Sequence, residues 1–185
     1  MNTHLKEIAA GAFQAFKATE EMVQNRVYID ALTRRALTDK QKDNIAEKFS
    51  YEANGVRFDK TRLNADKSFE ENAAHGFVDS IRKSAGLLQN VQYGAFKDEQ
   101  ELFEATSEYA ELLRNTIENA KTLELDSDFL VKIQIQHLEK VVLKAFDNIL
   151  DELETQGYSR DSLNLNGTPE AVESIRRLEN EDLSI

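Results

Sequence analysis

Residues 128–157 read DFLVKIQIQHLEKVVLKAFDNILDELETQG. Val131, Ile135, Leu138, Val142, Ala145, Phe146, Ile149 and Leu153 recur at steps of three or four, the period of one face of an α-helix. No proline or glycine interrupts the run before Gly157, which stands where a C′ glycine closes a helix. The spacing therefore predicts one long helix from about Asp128 to Gln156. A stripe of that length needs other helices to cover it.

Working outward toward the N-terminus, Leu125-Asp126-Ser127 reads as a turn. Before it, Asp98 is placed to cap a helix running to about Leu123, with Leu102, Thr106, Tyr109, Leu113, Ile117 and Ala120 as its buried stripe. Tyr93-Gly94 punctuates the chain. Ser68 and Glu71 have the spacing of a capping box, which opens a helix to about Asn90 whose inner face is Ala74, Phe77, Val78, Ile81, Ala85 and Leu88. A second box, Thr38 with Gln41, starts a short helix through Ile45 and Phe49. In the first segment Leu5, Ile8, Ala9, Ala12, Phe16, Val23 and Val27 share a stripe. After Tyr28 the stripe changes phase to Ile29, Leu32 and Ala36, which predicts a kink or break there.

One stretch departs from this pattern. Phe49, Tyr51 and Ala53 alternate, Asn54-Gly55 follows, and Val56 and Phe58 alternate again. Asn-Gly supplies the positive φ angles of a two-residue hairpin turn, so a small β-hairpin at residues 49–58 competes with an extended interhelical loop. Beyond Gly157, residues 158–167 are rich in Ser, Asn and Asp, and Thr168-Pro169-Glu170 has the form of a helix start. The expected fold class is all-α: a single-domain antiparallel bundle of long helices over residues 1–157, then a loop, a short helix and an acidic tail over 158–185.

Composition bounds the function classes. The 185 residues contain no Cys, which removes disulfides, thiolate metal sites and thiol nucleophiles, and 41% are hydrophobic against 31% charged, an ordinary globular balance. No apolar run approaches the ~18 residues that span a bilayer, and the N-terminal stretch is too polar for a signal-peptide core. The expectation is a soluble cytoplasmic protein with no membrane contact.

The net charge of −11 is unevenly placed. Residues 1–97 carry 15 basic and 13 acidic side chains, whereas residues 98–185 carry 8 basic and 21 acidic ones. The first half is near neutral and the second strongly acidic from about residue 98. That polarity disfavours nucleic acid or an anionic membrane as a partner of the C-terminal half and favours a basic protein.

The acidic side chains are patterned as well. On the helix after Asp98, Glu101, Glu104, Glu108, Glu111, Glu118 and Glu124 are expected on one arc opposite the apolar stripe, with no Lys or Arg between them. Like charges at helical neighbour spacing cost a few tenths of a kcal/mol per pair. A surface for a basic partner accounts for them, as does an inhibitor that imitates nucleic-acid phosphates. A solvated face neutralised elsewhere in the fold is the plain alternative.

Catalytic patterns are sparse. A ferritin-type metal centre needs inward Glu-x-x-His pairs, and none of His4, His75 or His137 follows a Glu by three. Glu101 with Glu104, or Glu108 with Glu111, has spacing suited to a divalent ion. On an outer face, such pairs could serve a metal-dependent hydrolase only beneath a second chain. His137 with Lys140 and Lys144 reads as a small exposed basic patch, and His75 shares a face with Arg82. Residues 38–49 resemble the first helix of a helix-turn-helix, but no recognition helix follows. The reading is a non-enzymatic interaction or regulatory module with no cofactor and no metal. The small residues Ala9, Ala10, Gly11, Ala12, Ala15 and Ala18 also suggest a homodimer through the N-terminal helix.

Overall fold

The computed structural model describes residues 3–48 and 67–159. It is all-α, with no strand among the described residues. Residues 49–58, where the hairpin was expected, and the C-terminal helix expected after Thr168 lie outside the described residues. The helices are α1 (Thr3–Lys17), α2 (Asn25–Arg35), α3 (Asp39–Lys48), α4 (Phe69–Gln92), α5 (Glu99–Thr122), α6 (Phe129–His137) and α7 (Lys144–Thr155). A π-helical stretch, Leu138–Leu143, joins α6 to α7, so the last long element is continuous from Phe129 to Thr155.

The caps form as their residue types dictate. The Glu71 amide donates to Ser68 Oγ at 3.1 Å and the Ser68 amide donates to Glu71 Oε1 at 3.3 Å, which starts α4. Thr38 and Gln41 make the same reciprocal pair ahead of α3, at 2.8 and 3.2 Å. Asp98 Oδ1 accepts from the Glu101 amide at 2.9 Å, and Asp128 Oδ1 accepts from the amides of Leu130 and Val131. Each satisfies amides that a helix start leaves without partners. At the far end of α7, Gly157 takes φ +103°. Its amide donates to Glu154 O and that of Tyr158 to Leu153 O, the paired bonds of a Schellman close.

The N-terminal segment breaks earlier than its hydrophobic phase suggested. Instead of one helix reaching Val27 with a kink after Tyr28, α1 ends at Lys17, a 3₁₀ turn covers Glu20–Met22, and α2 runs through Tyr28. The Thr19 hydroxyl donates to Phe16 O at 3.1 Å and closes α1 locally. Gln24 is extended, so Val23 and Tyr28 are both buried without sharing one helical face.

The core centres on α4, which packs against α1, α2 and α5, while α5 and α1 both meet α7. Phe77, Leu88, Leu102, Phe103, Leu113, Phe146, Ile149 and Leu153 are completely buried. Each such side chain contributes roughly 1.5–3 kcal/mol relative to exposure. Tyr28 stacks on Phe77 with ring centroids 5.6 Å apart and planes 15° from parallel, fastening α2 to α4. Two guanidinium groups at the end of α2 hold the turn between α5 and α6. Arg35 donates from Nε to Leu123 O at 2.7 Å and meets Glu124 at 3.1 Å, and Arg34 pairs with Asp128. Asp128 thus caps α6 with one oxygen and ties it to α2 with the other.

Candidate protein-binding face

Three cross-helix contacts define how α5 lies against the last element. Phe103 meets Tyr158 with ring centroids 5.9 Å apart, Arg114 meets Asp147 at 2.5 Å, and Lys121 meets Glu139 at 2.7 Å. Higher numbers on α5 pair with lower numbers on its neighbour, so the two run in opposite directions. Asp147 of α7 reaches α5 through Arg114, whereas the exposed Asp151 lines a depression with His4 and Ile8 of α1. Reading each helix separately missed the Arg114–Asp147 contact, because helix pairing is a tertiary fact.

Among the expected residues, Glu101, Glu108, Glu111 and Glu118 are exposed on α5. Glu101, Glu108 and Glu118 have no ion-pair partner among the described residues. Glu111 lies 3.8 Å from Arg114, one turn on. Glu104 is only half exposed, and its Oε1 accepts from Gln100 Nε2 at 3.0 Å.

Glu124 departs from the expected arc. It follows the end of α5 with φ +57° in the left-handed region, and Arg35 of α2 neutralises it. The periodicity extrapolated one turn too far, because α5 stops at Thr122. The arc is also less free of cations than the sequence implied. Arg114 reaches it from the crease toward α7, where it bridges Glu111 and Asp147.

Beneath this face α5 buries two hydroxyls, Thr106 Oγ1 and Ser107 Oγ, with no hydrogen-bond partner among the described residues. His137 also differs from expectation. It is half-buried rather than part of an exposed basic patch, and its Nε2 is enclosed without a hydrogen-bond partner among the described residues. Gln134, one turn earlier, is fully buried and donates to Thr19 Oγ1 at 3.3 Å. His137 sits where the last helix is rephased. No glycine or proline marks that place in the sequence.

Among the described residues, no three His, Asp or Glu side chains converge as a metal-ligand set. None of the helices there is long and apolar enough to cross a membrane. The chain matches no family model, no curated protein and no solved structure.

Proposed function

We propose that this chain is a non-enzymatic, cytoplasmic interaction module in which α5, flanked by α7, offers an acidic face to a basic protein partner. The reading takes residues 1–157 as one domain, an antiparallel bundle that serves as rigid support, with 158–185 as its tail. One observation carries it: Glu101, Glu108 and Glu118 are exposed and have no ion-pair partner among the described residues, on the same helix where Arg114 is already engaged by Asp147. Carboxylates held this way raise the encounter rate with a cationic surface and reject anionic ones. The half-buried Glu104 and the paired Glu111 form the margin of the face, and Glu124 belongs to the α2 contact instead.

Reversal of Glu101, Glu108 and Glu118 to Lys tests the reading. All three are exposed, so the helical circular dichroism signal stays unchanged while partners recovered from lysate by the wild-type chain are lost. Association weakens with added salt as the Debye length shrinks from ~30 to ~8 Å, chiefly through a slower on-rate. Recovery of the same partners by the triple variant would reduce the face to a solvated surface.

A further inference from the structure

A depression of about 310 Å³ lies between the start of α2 and the first half of α4, lined by Asn25, His75, Val78, Asp79 and Arg82. We propose that it binds a small oxyanion, the phosphate or carboxylate group of a metabolite. Its size falls at the small end of ligand pockets, roughly 300–1,000 Å³.

Arg82 is the anchor. Its Nη2 donates to Val23 O at 2.8 Å, so the guanidinium is pinned just before α2 rather than swinging in solvent. A guanidinium has five N–H donors, and among the described residues Arg82 makes no other hydrogen bond or ion pair. A pre-positioned fork of this kind suits the paired oxygens of phosphate or carboxylate. His75 is exposed on the same face of α4, two turns before Arg82, and Asn25 adds an amide from α2. Val78, nearly buried, gives the depression an apolar floor.

Two further features act in the same direction. The acidic member of the lining, Asp79, is ion-paired with Lys83 at 3.1 Å, which offsets its repulsion of an anion. At the head of α2, Gln24 makes no side-chain cap, its amide donating to Glu21 O at 2.7 Å instead. The Val27 amide donates to Gln24 O at 3.1 Å, which leaves the first-turn amides of Asn25 and Arg26 with donor capacity.

The test is a titration of the full-length chain, followed by ¹H–¹⁵N NMR, with inorganic phosphate in one arm and citrate in the other, at ionic strength held constant with sodium chloride. Shifts concentrated around Asn25, His75, Val78, Asp79 and Arg82 are expected, and the arm with the tighter response tells phosphate from carboxylate. Arg82→Gln should weaken binding by about tenfold, the loss of a charge-assisted pair. His75→Gln should weaken it severalfold, Asp79→Asn should tighten it, and Lys132→Gln on α6 should leave it unchanged. If Arg82→Gln does not fold, the exposed His75 and the Asp79 variant decide. Shifts no larger than those given by chloride, or spread over the surface, overturn the proposal, as does an unchanged affinity in His75→Gln together with Asp79→Asn.

Discussion

Arg114 and Asp147 join α5 to α7 through a 2.5 Å contact between Nη2 and Oδ1, and both side chains remain a third or more exposed. The guanidinium also meets Glu111 of its own helix at 3.8 Å, so it is shared between one carboxylate of α5 and one of α7. Exposed pairs couple by only about 0.2–1 kcal/mol. A double-mutant cycle of Arg114→Ala and Asp147→Ala in urea should return a coupling in that range. The single Arg114→Ala change should be the more destabilising, because it leaves both Asp147 and Glu111 without their cation. Equal losses from both single variants would show that Arg114 does not mediate between the two carboxylates.

The tie between α3 and α4 should be acid-labile. Burial raises the Glu70 carboxyl, but the Lys42 ammonium at 2.9 Å, a backbone hydrogen bond and the Lys42 charge outweigh it and leave its pKa below the ordinary value. A carboxylate lowered on folding stabilises the native state above its unfolded pKa and loses that contribution as pH falls through the folded value. Hydrogen exchange in α3 should therefore accelerate on acidification below about pH 4.5 before the core of α4 and α5 opens. Glu70→Gln should remove this acid-dependent step.

Tyr28 makes the opposite demand at high pH. It is fully buried against Phe77, and burial first, then the Asp128 carboxylate, push its phenol far above the ordinary tyrosine range. A group raised in this way stabilises the fold below its unfolded pKa, and the contribution is lost as pH rises beyond it. Alkaline destabilisation should start above about pH 10. Tyr28→Phe should flatten that part of the curve while keeping the ring stacked. An identical alkaline slope in the variant would assign the effect to other groups.

Gly11 and Gly157 should respond to alanine with opposite signs. Gly11 lies within α1, exposed, with open space where a Cβ would go. Gly11→Ala should stabilise by about 0.5–1 kcal/mol. Gly157 also has open space but takes φ +103°. There alanine should destabilise by about 1 kcal/mol or more, because the backbone conformation itself is strained for an L-residue. Thermal melts of the two variants check both signs.

Much of the fold was legible in local chemistry. Ser68, Thr38, Asp98 and Asp128 cap helices because a short side-chain oxygen two or three residues ahead of free amides has few better partners. The eight apolar residues read as one face from Val131 to Leu153 are all buried, since a 3.6-residue period can be hidden only by a helix lying against others. What the sequence could not determine was every feature that depends on a second element. Glu124 was assigned to a helix that ends two residues earlier, and Arg35 of α2 claims it. Asp147 of α7 meets Arg114 of α5 across 33 positions of sequence, a contact that only the packing of the two helices creates. His137 turned inward where a π-helical stretch shifts the phase of an otherwise regular pattern. Capping and periodicity are set by neighbours three or four residues away, whereas neutralising a charge or rephasing a helix depends on side chains tens of residues distant, which only packing brings together.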